Sequence, residues 1–395
     1  MKRLMILGAG PNQIPLIKAA KKNGYYVIVC DFNENAPGVE LADELCTASI
    51  LDKDAILSAA KMQKLDGITS NSEPAMNVVA YVGNTLGLPS NSYRTVCMLT
   101  NKVLFRTFLK EKGFNVPDYG SAESYEEAEA LFDRLTKPVM LKPAASSGSR
   151  GVVKLTDKSL LRSSFEAALS FSRTDQVIIE EYIENSCHSV IGGELFAQDR
   201  DLVFAGLMSS VRGSYNPYVP AGEIFPAQLS TRQHDSVIRE LRRAVKELDL
   251  SLCAINVECI IDTHGKVYLI ELNPRNGGNY LPEQIEMATG FDIFDATVRA
   301  AVGEKVAAIN SSKRKTVSTY QVHSRKAGSL KKVHFSDQLS RCIVSYIPER
   351  VIGDAVEPFI NAEKRIGTLF LSFNSDSECN EIMNSIESHI TVSVE

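Results

Sequence analysis

The 395-residue chain has eight cysteines, Cys30, Cys46, Cys97, Cys187, Cys253, Cys259, Cys342 and Cys379, and no two of them form a CxxC pair. Most sit inside apolar runs such as 26–30. That pattern reads as reduced, buried thiols, because a disulfide scaffold would be shorter and denser. No apolar run approaches the roughly 20 residues of a membrane-spanning helix. The basic start Met1-Lys2-Arg3 leads into an apolar stretch that stops at Gly8, too short for the h-region of a signal peptide. The formal net charge is −5, which argues against a nucleic-acid binder held by a basic surface. No glycine-rich loop ends in Gly-Lys-Ser or Gly-Lys-Thr, so a Walker A site is excluded. With 44% hydrophobic and 23% charged residues, the composition is that of ordinary globular protein. The length predicts two or three domains, and these absences together predict a cytoplasmic chain with no membrane or nucleic-acid partner.

What is present begins with a βαβ pattern. The apolar run 4–7 ends in Gly8-Ala9-Gly10, a helical stretch follows to Gly24, and a second apolar run 26–30 ends in Asp31. Further strands at 46–48 and 67–70, with a helix at 52–63, complete a small doubly wound parallel sheet over residues 1–92. The first turn invites a dinucleotide reading, and Asp31 stands where an acid would meet a ribose. However, Gln13 replaces the third glycine, which would allow close helix–strand packing. A phosphate or substrate cradle and a plain tight turn are the competing readings.

The chemistry-bearing residues follow. Asn101-Lys102 opens a helix that runs to Gly113. The strand 138–142 delivers Lys142 directly before the loop 144–152, which includes Ser146, Ser147, Gly148 and Ser149. Backbone N–H groups and hydroxyls in such a loop can wrap phosphates; the plain alternative is a flexible hairpin. A second strand ends in Glu180-Glu181-Tyr182-Ile183, a hinge that would offer an adenine polar groups between apolar walls. Read alone, an ordinary strand end with solvated carboxylates is the favoured reading. His188 follows in a polar stretch, where read alone it is a surface or loop histidine rather than a ligand. The sharpest feature is the hairpin 255–273, whose arms flank the turn Asp262-Thr263-His264-Gly265. Period-two alternation puts Glu271 and Asn273 on one face, with Glu258 opposite Leu269 and diagonal to Glu271. Two carboxylates and an amide on apolar strands call for a cation, and oxygen ligands favour Mg2+ over zinc; the alternative is that one carboxylate sits on the solvent face of an edge strand. Arg275, leaving the strand beside Asn276 and Gly277, suits a phosphoryl group or a carboxylate; a turn salt bridge is the alternative.

In this order, Lys102, Lys142 with its Ser/Gly loop, Glu180-Glu181-Tyr182-Ile183 and Glu258…Glu271-Leu272-Asn273-Pro274-Arg275 resemble the ATP-grasp superfamily of carboxylate–amine ligases. Biotin carboxylase, the purine-biosynthesis members and the L-amino acid (dipeptide) ligases are similar in layout. The resemblance implies an α/β (α+β) chain with three parts. These are a pre-ATP-grasp domain at 1–92, an ATP-grasp domain at 93–305 with a lid at about 125–185, and a β-rich C-terminal domain at 306–395. In that last segment the runs 316–322, 329–333, 342–347, 350–352, 367–373 and 390–394 themselves read as strands. It implies that Lys102, Lys142 and the Ser/Gly loop hold the ATP phosphates. Glu180, Glu181 and the backbone of Tyr182 and Ile183 would take adenine, and His188 would stand near the ribose. Glu258, Glu271 and Asn273 would ligate one or two Mg2+ ions, with Mn2+ as a substitute. Arg275, helped by Asn276 and together with Lys142, would steady an acyl phosphate made from a carboxylate, which an amine then attacks. Glu73, Arg212, Arg275 and Gly277 are the candidate substrate-facing residues, amino acids are candidate substrates, and a homodimer is a candidate assembly. Two other classes stay open: an NAD-dependent oxidoreductase built on the N-terminal turn, and a non-catalytic nucleotide-binding protein.

Overall fold

The computed structural model describes residues 1–395 except 147, 187–189, 214–218 and 308–313. Four short apolar runs form parallel strands, β1 (Arg3–Leu7), β2 (Tyr26–Asp31), β3 (Glu44–Thr47) and β4 (Gly67–Thr69), in the order β3-β2-β1-β4. The helices between them are α1 (Ile14–Lys22), α2 (Lys53–Gln63) and α3 (Met76–Leu86). Asp52 starts α2 by accepting from the Asp54 and Ala55 amides. Met5, Leu7 and Ile28 pack beneath α2 and α3 on one face of the sheet. On the other, Leu4, Ile6 and Val27 pack under α1 and also under Phe294, Val298 and Ala301. Those three belong to a helix made much later in the chain, α10 below.

The next helices are α4 (Tyr93–Leu99) and α5 (Lys102–Glu111), and Asn101 caps α5 by accepting from the Val103 and Leu104 amides. A lid follows, with strands β5 (Tyr119–Ala122), β6 (Val139–Pro143), β7 (Val153–Leu155) and β8 (Val177–Glu181) in the antiparallel order β5-β8-β6-β7. Its helices α6 (Tyr125–Arg134) and α7 (Leu161–Ser170) share its core. The large sheet contains β9 (Ile191–Gln198), β10 (Asp201–Arg212), β11 (Pro220–Phe225), β12 (Cys253–Ile261) and β13 (Val267–Asn273). Helix α8 (Thr231–Glu247) packs with α5 on one face, against Ile255, Val257, Cys259 and Ile261. Alternation then turns Asn256 and Glu258 to the opposite face, part of which is covered by α9 (Leu281–Thr289) and α10 (Ile293–Ala301).

The C-terminal segment extends this sheet. Its strands β14 (Thr316–Val322), β16 (Ile343–Pro348) and β18 (Gly367–Phe373) continue the order β13-β12-β9-β10-β11-β14-β18-β16. The remaining strands, β15 (Gly328–Phe335), β17 (Ala355–Val356) and β19 (Ile390–Val394), form a small sheet of their own. The expected strand at 350–352 is instead an exposed turn: Val351 donates to Asp354 Oδ2, and Ile352 is 74% exposed. Among the described residues no helix is long and apolar enough to cross a membrane.

Gly67 marks how tightly the first sheet meets α10. A Cβ there would lie 2.0 Å from the Ala301 carbonyl oxygen. Gly67→Ala is therefore expected to cost about 1–3 kcal/mol, read as a lower unfolding temperature. An unchanged temperature would mean that strand and helix separate freely.

Candidate functional site

A cleft of about 1250 Å³ lies between the lid, the free face of the large sheet and the end of the first sheet. Its centre is the β12–β13 hairpin. The register differs from the expected one: Cys259, not Glu258, faces Leu269, and Glu258 faces Glu271 directly. The turn closes one residue later than expected, with Ile261 facing Val267, and a bulge between Glu258 and Cys259 then leaves Ile270 as the extra residue and brings Glu258 opposite Glu271. It also explains how Leu269 and Leu272, three apart, both reach the core beneath α8. Asn273 Nδ2 donates to Glu271 Oε2 at 3.1 Å, and Lys102 Nζ lies 2.7 Å from Glu271 Oε1.

Burial opposes ionisation of both carboxyl groups, but the outcomes diverge. Lys102 pulls Glu271 below the usual carboxylate range. Glu258 is pushed up, first by burial and then by the charge of Glu271. Burial alone would lower the Lys102 ammonium, yet Glu271 and Glu73 carry it above its ordinary value. Among the described residues no three His, Cys, Asp or Glu side chains cluster closely enough to hold a metal. Two facing carboxylates and an amide instead fit a hard cation that takes its remaining ligands from water and phosphate.

The lysine of the second strand is held differently. Lys142 Nζ contacts Glu180 Oε1, and Arg106 Nε donates to Glu180 Oε2 at 2.9 Å. Burial would raise the Glu180 pKa, but Arg106 and then Lys142 hold it at about 2. Arg106 Nη1 also donates to the Leu269 and Ile270 carbonyls at 3.2 and 3.0 Å. One guanidinium thus joins α5, the lid strand β8 and the hairpin bulge. The available signal was its spacing, since Arg106 is i+4 from Lys102 and shares its helix face.

Several residues expected at the nucleotide have protein partners of their own. The Glu180 carboxylate is committed to Arg106 and Lys142, and the Tyr182 N–H donates to the Pro138 carbonyl. Neither is a vacant adenine contact in this arrangement. Glu181 Oε1 accepts from the Thr136 amide, while Glu181, Tyr182 and Ile183 line the cleft. Lys154 Nζ sits 3.6 Å from the centre of the Tyr182 ring. The Ser146 carbonyl accepts from Lys102 Nζ at 3.1 Å, and the buried Ser146 hydroxyl has no hydrogen-bond partner among the described residues. Gly148 and Ser149 line the cleft with φ of +71° and +56°. Ser147 and His188 lie outside the described residues.

Glu73, expected to face a substrate amine, is buried between two guanidiniums, Arg275 Nη2 at 3.1 Å and Arg173 Nη2 at 3.3 Å. It thereby ties the first sheet to the lid and to the exit of β13. Arg275 and Arg212 line the cleft, but Asn276 and Gly277 do not. The Asn276 Oδ1 accepts from Thr297 of α10, and the Gly277 amide donates to Glu194 Oε1 at 2.9 Å. Glu194, missed in the sequence, is an acid inside the apolar run of β9. It also accepts from Asn256 Nδ2 at 2.8 Å, and burial pushes its pKa up to about 8. At the N-terminal turn, Asp31 Oδ2 accepts from the Ala9 amide at 2.8 Å. Gln13 packs under Gly8, its Cδ 3.1 Å from where a Cβ would stand. The turn is closed by its own side chains, which takes Asp31 away from any ribose.

This geometry agrees with the comparisons. Residues 101–309 match the family model of the carbamoyl-phosphate synthase L chain, ATP binding domain. The chain belongs to that family, and so to the ATP-grasp superfamily, whose members use ATP and Mg2+. It is 27% identical over 256 residues to the uncharacterized protein y4rH of Sinorhizobium fredii, covering 63% of this chain but only about half (51%) of that one. It is 25% identical over 398 residues to the formate-dependent phosphoribosylglycinamide formyltransferase of Bacteroides thetaiotaomicron, covering 95% of each. In fold it resembles the crystal structure of an L-amino acid ligase from Bacillus licheniformis, with a TM-score of 0.83 at 18% identity, covering 100% of this chain and 99% of that one.

Proposed function

We propose that this chain is an ATP-dependent ligase that activates a small carboxylate as an acyl phosphate and joins it to an amine. The observation that carries this reading is the Glu258–Glu271 pair, facing across a hairpin within reach of Lys102 and beside Lys142 in one cleft. Lys102, Lys142 and the 146–149 loop bind the ATP phosphates. The 180–183 segment lies against the base, with Ile183 and Tyr182 as its apolar walls. Glu258, Glu271 and Asn273 would hold Mg2+, or Mn2+ in its place, and that ion would supply charge neutralisation at the β- and γ-phosphate oxygens. A carboxylate oxygen attacks the γ-phosphorus and the bond to ADP breaks. The amine lone pair then attacks the acyl carbon, phosphate leaves with the C–O bond electrons, and the nitrogen gives up a proton. Arg275, oriented by Glu73, faces the negative oxygens in both steps. The names of the formyltransferase and the L-amino acid ligase support a carboxylate and an amine as the substrate pair, with amino acids the first to try.

The test is phosphate release from MgATP with pairs of carboxylates and amines, including the L-amino acids. Release that needs both partners is expected, along with thermal stabilisation by MgATP. Stabilisation by NADH but not by MgATP would overturn the reading in favour of an oxidoreductase.

A further inference from the structure

One buried carboxylate in the cleft is not used by the phosphoryl chemistry above. Glu223 stands on β11, lines the cleft and is 8% exposed. Its Oε2 is buried and has no hydrogen-bond partner among the described residues. Leaving such an oxygen unpaired is costly, and a donor entering from the cleft relieves that cost. Burial, with the charge of Glu258 adding to it, pushes its pKa up to about 8 despite the neighbouring Arg212 guanidinium and the Ser210 hydroxyl.

The position is rigid. Gln284 is fully buried, and its Nε2 donates to the Glu223 carbonyl at 2.9 Å and the Val317 carbonyl at 3.4 Å. Thr319, directly across from Glu223 on β14, donates to Gln284 Oε1 at 3.1 Å. The carboxylate reaches toward β9 at Gly192, where a Cβ would lie 3.6 Å from Oε2. Gly192 is also the cross-strand neighbour of Glu258. The missing side chain keeps the floor open between Glu223 and the Glu258–Glu271 pair. A nitrogen resting on Glu223 would therefore face the region where an acyl phosphate forms.

Resting on the ligase reading above, we propose that Glu223 binds the amino nitrogen of the amine substrate, taking an N–H hydrogen bond on Oε2. The ligand class is a primary amine or ammonium.

The experiment compares the wild-type chain with Glu223→Gln and Glu223→Asp, using L-amino acids as carboxylate and amine probes. Three quantities are measured: thermal stabilisation by MgATP, the single-turnover ADP burst with carboxylate alone, and the KM for the amine. In Glu223→Gln the ADP burst is expected to stay within about twofold while the amine KM rises about tenfold or more, and Glu223→Asp recovers part of the loss. An unchanged amine KM overturns the assignment. Loss of MgATP stabilisation or of the burst, or an altered Mg2+ requirement, also overturns it by placing Glu223 with the phosphates. No burst from the wild type with any carboxylate sinks the ligase reading itself. A normal wild-type burst with no amine effect in the variants sinks only the role of Glu223.

Discussion

Glu271→Ala is expected to lower MgATP-dependent ADP formation by about 10³-fold while the chain stays folded. Glu271 lines the cleft with a quarter of its side chain exposed, so its loss opens no cavity in a core. The variant leaves Glu258 as the lone carboxylate of the hairpin face and strips Lys102 of its partner at 2.7 Å. It also removes the acceptor that orients the Asn273 amide. Three groups assigned to the phosphates and their cation are thus disturbed together. The measurement is ADP formation at saturating MgATP beside a thermal unfolding curve. Near-normal turnover in a folded variant would refute the metal-binding assignment of this hairpin.

The second large effect is on stability. Arg106 is 1% exposed and Glu180 2%. Removing one partner of such a pair leaves a buried charge uncompensated, at a cost of about 3–5 kcal/mol. Arg106→Met is expected to lower the unfolding temperature by on the order of 10 °C, and adding Glu180→Met should restore part of it. The acid side follows the same logic. The Glu180 pKa is held at about 2 against an ordinary value of 4.5. Its stabilising contribution is therefore complete above the ordinary value and lost as pH falls toward 2. In Arg106→Met that loss should begin at higher pH. An unfolding temperature unchanged by Arg106→Met would mean that the pair carries no stability.

The parts of the site that could be read in the sequence are those set by local rules. Lys142 at a strand end, the glycine-bearing loop after it and the hairpin acids follow from alternation and turn chemistry, which act over a few residues. The exact pairing of Glu258 with Glu271 did not, because the bulge is held by Arg106 from a helix more than 150 residues earlier. Partners that arrive from distant elements were likewise hidden. Nothing near Glu73 in the chain announces Arg173 and Arg275, and nothing near Gly277 announces Glu194. The strands of the C-terminal segment were recognisable from β-branched and aromatic runs, but the merger of three of them, β14, β18 and β16, into the eight-stranded sheet depends on edge pairing between β11 and β14. The stretch 350–352 was misread for the opposite reason: two β-branched residues, Val351 and Ile352, sit in a turn where no strand is available to pair with them.

Residues 294–302 close the face of the first sheet that contains Leu4, Ile6 and Val27. During synthesis, then, these strands are made long before that cover, and until it arrives their apolar side is shielded by α1 alone. Domains are usually finished in the order in which they are synthesised; here the first unit is completed by a piece of the second. A fragment stopping near residue 92 would carry a half-sealed core, the kind of surface that a chaperone shielding nascent chains would hold longest.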